Sequence, residues 1–258
     1  MSLIKSRRAV NCLAIAVAFV MTLCVFASVS TTKAYAATSY SLWVGGTRVT
    51  SDNANSNSKW SYNASTRTLT LKSYTYTGKG YAGKITIPDD DEPSYYNAPI
   101  YWSGTQELTI NVTGTNKVTA TYITDSDSEP IGIFARGSVK FTGSGTLTAT
   151  GGNRTGWESI GVYSLDGDVT LKSGTLNAIG AADCSSFGIY AERRVFVNGG
   201  TLNATGGTLY TPEAEDISTG IYSEYLVISG GTVNATGGTA AGAASAGHKH
   251  IHSRRQDT

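Results

Sequence analysis

The chain has 258 residues, 40% hydrophobic and 15% charged, with 30 Gly, 5 Pro, 3 Cys and a formal charge of +1. This composition fits one globular or elongated repeat domain behind a targeting segment. It excludes a charged disordered tail, a collagen-like chain and a disulfide-dense scaffold, and the near-zero charge gives no reason to expect nucleic acid as a partner.

Residues 1–36 read as a secretory signal peptide. Met1–Asn11 is basic, Cys12–Ser28 is an apolar run, and Ala34-Tyr35-Ala36 forms an A-x-A cleavage site. The alternative is an uncleaved anchor, because the apolar run is about as long as the shortest membrane spans; an uncleaved segment would be the expected link to a membrane. With this stretch set aside the chain carries 16 Lys and Arg against 19 Asp and Glu, and Cys184 is its one cysteine. A secreted or extracellular-surface protein is expected, held by packing and hydrogen bonds rather than disulfides.

Residues 37–96 read as an N-terminal β cap. SLWVGGTRVT from Ser41, a polar Asn/Ser run, and WSYNASTRTLTL from Trp60 place Leu42 with Val44, and Leu69 with Leu71, at alternating positions. Such strands would cover the first edge of a repeat array.

Residues 97–247 repeat one unit. The glycines of its Gly-Ile/Val-aromatic openings, Gly132, Gly161, Gly188 and Gly220, recur at nearly even spacing, and Pro99-Ile100-Tyr101 opens a fainter first copy. The local period is two: Val139/Phe141, Val169/Leu171, Val195/Val197 and Leu226/Ile228 on one strand, then Leu147/Ala149, Leu176/Ala178, Leu202/Ala204 and Val233/Ala235 on a second. Short strands punctuated by glycine and repeated at that spacing predict the coils of a parallel β-solenoid. An outer column of Thr146/Thr148, Thr175/Asn177, Thr201/Asn203 and Thr232/Asn234 is expected to bond along the stack. A β-sandwich of hairpins is the rival reading, disfavoured by the scarcity of Asn-Gly and Asp-Gly turns.

The glycine phase reaches Gly247 and is lost at His248, where HKHIHSRRQDT replaces the expected Ile-Tyr. Residues 248–258 read either as a disordered polar tail or as the mark of a truncated or frame-shifted piece of a longer repeat protein.

The segments SLWVGGTRVT, WSYNASTRTLTL, LTINVTGTNKV and the GIY…ISGGTVNATGG units resemble exported β-helix proteins of Gram-positive bacteria, similar to a carbohydrate-binding β-helix family related in fold to pectate lyases. The resemblance implies a right-handed parallel β-helix, an extracellular polysaccharide as partner, plant-type or acidic, and calcium held by loop carboxylates. The chain departs from the family's Asp-Asp-Gly-Ile coil openings, with Glu158-Ser-Ile-Gly, Ser185-Ser-Phe-Gly and Ser218-Thr-Gly-Ile in their place.

Alternation turns Tyr101, Phe134, Tyr163, Tyr190 and Tyr222 outward if Ile133 points inward, which predicts an aromatic ladder; flat rings suit the C–H faces of sugars, or stack on one another as pure structure. Trp157 and Tyr210 fall in the loops 153–159 and 208–219, insertions expected on one side of the stack beside Glu158, Asp183, Glu213, Glu215 and Asp216. Asp125, Asp127 and Glu129 have spacing suited to calcium, although without the glycine and distal glutamate of an EF-hand, and the run Asp89–Glu92 is a weaker candidate. No His occurs between residues 37 and 247, and Cys184 lacks a His partner, so no catalytic residue is assigned. The expectation is a secreted or cell-surface carbohydrate-binding β-helix protein that is not an enzyme; the alternative is a structural or adhesive surface protein (an adhesin).

Overall fold

Thr, Val, Ile and Tyr fill short alternating runs between glycines, a pattern that suits a pleated surface buried on one side. The computed structural model describes residues 36–86, 93–121, 128–153, 158–181, 185–209, 216–239 and 244–250. Its strands all belong to the unit Thr38–Thr258. The expected signal segment, through residue 35, lies outside the described residues, as does the chain from residue 251.

Among the described residues the fold is all-β. The first strands are β1 (Ser39–Val44), β2 (Thr47–Thr50), β3 (Trp60–Asn63), β4 (Thr68–Lys72), β5 (Thr75–Gly78), β6 (Tyr81–Ile85) and β7 (Ser94–Ala98). The repeat follows with β8 (Ile100–Trp102), β9 (Leu108–Thr113), β10 (Thr115–Ala120), β11 (Glu129–Ala135), β12 (Val139–Gly143), β13 (Thr146–Thr150), β14 (Ser159–Ser164), β15 (Val169–Leu171) and β16 (Thr175–Ile179). Two long strands, β17 (Ser186–Thr205) and β18 (Ile217–Thr236), each run through a whole coil, and β19 (Ala244–His250) comes last.

Each coil lies on the next in parallel register. β8 pairs with β11, β11 with β14, and β14 with the start of β17; β9, β12 and β15, and likewise β10, β13 and β16, stack in the same way. β17 pairs with β18 from Ser186↔Ser218 to Thr205↔Thr236. The chain is therefore a parallel β-solenoid, and among the described residues no sandwich-like hairpin joins its coils. The antiparallel pairs of the described residues lie at the N-terminal end: β1 with β2 and β8, β3 with β4, β6 with β7. β4 and β5 pair in parallel with β9 and β10, so the N-terminal strands cover the edge of the first coil.

The alternation settles which side chains go inside. Leu147, Leu176 and Leu202 form one column at 1% exposure and Ala149, Ala178 and Ala204 another at 0%. Burying each leucine contributes roughly 1.5–3 kcal/mol, and no coil could bury its own without a neighbour. The repeat's leading glycine is fixed by close approach: a Cβ on Gly132 would lie 2.5 Å from the Gly161 carbonyl oxygen of the next coil.

Polar columns tie the coils together outside the core. Asn177 Nδ2 donates to Thr148 Oγ1 (3.1 Å), Asn203 Nδ2 to Asn177 Oδ1 (2.7 Å) and Asn234 Nδ2 to Asn203 Oδ1 (2.8 Å). A second column uses the serines of the coil openings. Ser186 Oγ donates to Ala181 O of the preceding coil and accepts from Gly207 N of its own, and Ser218 Oγ donates to Gly207 O and accepts from Gly238 N in the same way, at 2.7 Å each.

The backbone repeat outlasts the side-chain repeat. Residues 248–250, expected in a disordered tail, form the end of β19, where His248, Lys249 and His250 pair with Ile221, Tyr222 and Ser223. His248 Nε2 lies 3.2 Å from Ser223 Oγ. A strand register needs only backbone groups, which is why it survives the loss of the Ile-Tyr pattern.

Candidate functional site

Alternation sends Ile100, Ile133, Val162, Ile189 and Ile221 into the solenoid, each 0% exposed, and their neighbours Tyr101, Phe134, Tyr163, Tyr190 and Tyr222 to the other side of the sheet. The rings do stack. Tyr101 and Phe134 have centroids 4.6 Å apart, Phe134 and Tyr163 5.7 Å, Tyr163 and Tyr190 5.0 Å, Tyr190 and Tyr222 4.8 Å.

The expected exposed ladder is corrected in its first three members. Tyr101, Phe134 and Tyr163 are 1%, 0% and 6% exposed. The hairpin of β6 and β7 and Trp43 of β1 cover them: Tyr96 stacks on Phe134 at 4.8 Å and meets Tyr163 edge-on at 5.5 Å, and Tyr81 and Trp43 meet Tyr101 edge-on at 5.0 and 5.7 Å. An outward-facing strand position is buried when a second layer lies on it, and period-two alternation carries no signal of that layer. Together these residues form a second apolar core with Ile131, Ile160, Leu165 and Phe187.

The ladder emerges at Tyr190 and Tyr222, both half-buried, with Phe187 against both rings at 5.1 and 5.3 Å. Two carboxylates join them. Glu158, just ahead of β14, is half-buried, and burial with the added charge of Glu192 pushes its carboxyl up to about 7. Glu192, two residues beyond Tyr190 and so on the same face of β17, is also raised by burial, partly offset by the hydrogen bond from the Tyr190 hydroxyl. The same carboxylates, after burial, raise the Tyr190 and Tyr222 hydroxyls, so all four groups share one patch. Two flat rings on adjacent coils offer an apolar platform, and a protonated Glu158 beside it is a hydrogen-bond donor.

The remaining sequence candidates divide. Trp157, Tyr210, Asp125 and Asp127 lie outside the described residues, as do Cys184, Asp183, Glu213, Glu215 and the run Asp89–Glu92. Glu129 opens β11 opposite Tyr96 of β7. Among the described residues no group of three or more His, Cys, Asp or Glu could hold a metal ion, and no helix is long and apolar enough to cross a membrane. Asp166 and Asp168 pair across coils: Asp168 accepts from Arg194 Nε and Nη2 at 3.1 Å each, and Asp166 from Arg136 Nε at 3.2 Å. Sequence reasoning missed Glu192, although its place two residues after the repeat aromatic is a readable sign that it shares a face with Tyr190.

No curated protein and no solved structure matches the chain. Residues 93–249, which contain the ladder and both carboxylates, match the family model described as carbohydrate-binding domain-containing protein, and the chain belongs to that family.

Proposed function

We propose that the chain binds an extracellular polysaccharide on the Tyr190–Tyr222 face, as an exported, non-catalytic protein. The observation that carries this reading is the pair of half-buried, mutually tilted rings of Tyr190 and Tyr222 beside Glu158 and Glu192, inside the family-matched segment. A sugar polymer running across the two coils would rest a ring face on each tyrosine and exchange hydrogen bonds with the two carboxyl groups. Two acidic groups with no cation among the residues acting on them disfavour a uronate, so the polymer is neutral. Both carboxyls are pushed in the same direction, whereas glycoside hydrolysis calls for one held protonated and one held ionised; this supports binding without cleavage. Export rests on the basic, apolar and A-x-A segments of residues 1–36, and the right hand of the helix and the relation to pectate lyases rest on the sequence resemblance.

Affinity electrophoresis of the full chain through gels containing neutral or acidic polysaccharides tests the reading. Retardation by a neutral polymer that disappears in Tyr190→Ala is expected. A folded protein that no neutral polymer retards would overturn it.

A further inference from the structure

Outside the matched segment, the N-terminal strands line an open cavity of about 300 Å³. It lies between the β1–β2 turn, the loop that precedes β3, and the strands β3 and β5. Trp60, Tyr74 and Tyr76 supply its aromatic surface, and Asn53, Ser56 and Asn57 its polar rim. The turn at Gly45 and Gly46 has φ of +59° and +76°, and a Cβ on Gly45 would come within 2.7 Å of the Tyr74 hydroxyl, so glycine keeps the backbone close there without closing the space.

The polar groups differ in how far the protein itself satisfies them. Asn53 is anchored at both ends of its amide: its Oδ1 accepts from Thr50 N (2.8 Å) and its Nδ2 donates to Arg48 O (2.9 Å), which makes it a fixed wall. Asn57 Oδ1 accepts from Lys59 N (2.7 Å), but its Nδ2 has no hydrogen-bond partner among the described residues. Tyr74 is 8% exposed, and its hydroxyl likewise has no hydrogen-bond partner among the described residues. Burial pushes that hydroxyl up to about 12, so it is a neutral donor throughout the physiological range. The side chain lines the pocket, so a ligand hydroxyl can accept from it in place of solvent.

The lining carries no charged side chain. The volume is at the small end of the ~300–1,000 Å³ range of ligand pockets, suited to a single sugar ring rather than a chain. We infer that this cavity is a second carbohydrate site, which takes one neutral pyranose, held against Trp60 and hydrogen-bonded by the Tyr74 hydroxyl and Asn57 Nδ2. It is independent of the Tyr190–Tyr222 face: it lies outside the matched segment and would take the end of a glycan rather than its length.

The test is a titration of the full chain with glucose, galactose, mannose, N-acetylglucosamine and galacturonate, followed by the NMR signals of the tryptophan indoles. A saturable shift of one indole with at least one neutral sugar is expected. That shift is retained in Tyr190→Ala and weakened about tenfold or more in Tyr74→Phe, which removes only the hydroxyl, and in Asn57→Ala, which removes the Nδ2 donor together with the Oδ1 that accepts from Lys59 N. Asn57→Ala, at an exposed loop position, keeps the test decisive if Tyr74→Phe lowers stability. Absence of a saturable shift with every neutral sugar, a response to galacturonate alone, or binding that Asn57→Ala leaves intact would overturn the assignment. Binding lost in Tyr190→Ala but intact in Asn57→Ala would place the sugar on the ladder face instead, and would overturn it as well.

Discussion

The charge of Glu192 acts on Glu158 across one coil step and adds to burial in holding the Glu158 carboxyl at about 7, against an ordinary 4.5. The folded chain then binds more protons than the unfolded one between about 4.5 and 7, so stability falls as pH rises through that window. The loss amounts to at most about 3.5 kcal/mol at about 1.4 kcal/mol per unit. Urea unfolding at pH 4.5 and at pH 8 measures it. Glu158→Gln flattens most of the difference and leaves the smaller part due to Glu192; an unchanged slope in the variant would refute the buried acid.

The two ends of the aromatic ladder respond differently to truncation. Phe134→Ala opens a void under β6 and β7 and costs about 3–5 kcal/mol in thermal or urea unfolding. Tyr222→Ala removes a half-exposed ring, costs less than Phe134→Ala, and abolishes retardation by the neutral polysaccharide. Equal stability losses at the two positions would show that Tyr222 is as structural as Phe134.

The Arg194–Asp168 pair is bidentate, yet Arg194 keeps 40% of its side-chain surface exposed. Water and salt screen such a pair, so Asp168→Asn is expected to lower the urea midpoint only slightly, and by less still at high salt. Parallel denaturation curves of the two proteins at low and high salt check this.

In the asparagine column, Asn203 both donates to Asn177 and accepts from Asn234. Asn203→Ala breaks both links and costs about 1–2 kcal/mol, whereas Asn203→Thr, the residue type found at position 148 of the same column, recovers part of that. A difference in urea midpoints among the three proteins reads the effect directly.

The coil repeat is legible in the sequence because every coil must present the same inner residues to its neighbours, so Leu147, Leu176 and Leu202 recur in phase. The ladder is legible for the same reason, but its burial is not. Whether Tyr163 meets water depends on Tyr96, which lies before the first coil and far outside any window of periodicity. The Asn177–Asn203–Asn234 links follow from the column; the Arg194–Asp168 pair does not, because the position before Val169 and Val195 is held by Ser138, Asp168, Arg194 and Tyr225 in successive coils and so carries no repeated residue type. The cavity at Trp60 escapes because alternating Trp60, Tyr62, Tyr74 and Tyr76 read equally well as the packing of an edge strand.

Tyr190 and Tyr222 belong to successive coils and pair in register, with a full coil of chain between them. A glycan lying across both rings therefore crosses the seam between β17 and β18. From Tyr225 onward, β18 carries side chains such as Ile228 at 54% exposure, and β19 pairs only with Ile217–Ser223. A bound polymer acts as a clasp across this seam. Amide hydrogen exchange in Ser218–Thr236 would slow on binding even at residues the sugar never touches, and a longer oligosaccharide would close the seam more firmly than a monosaccharide of equal intrinsic affinity.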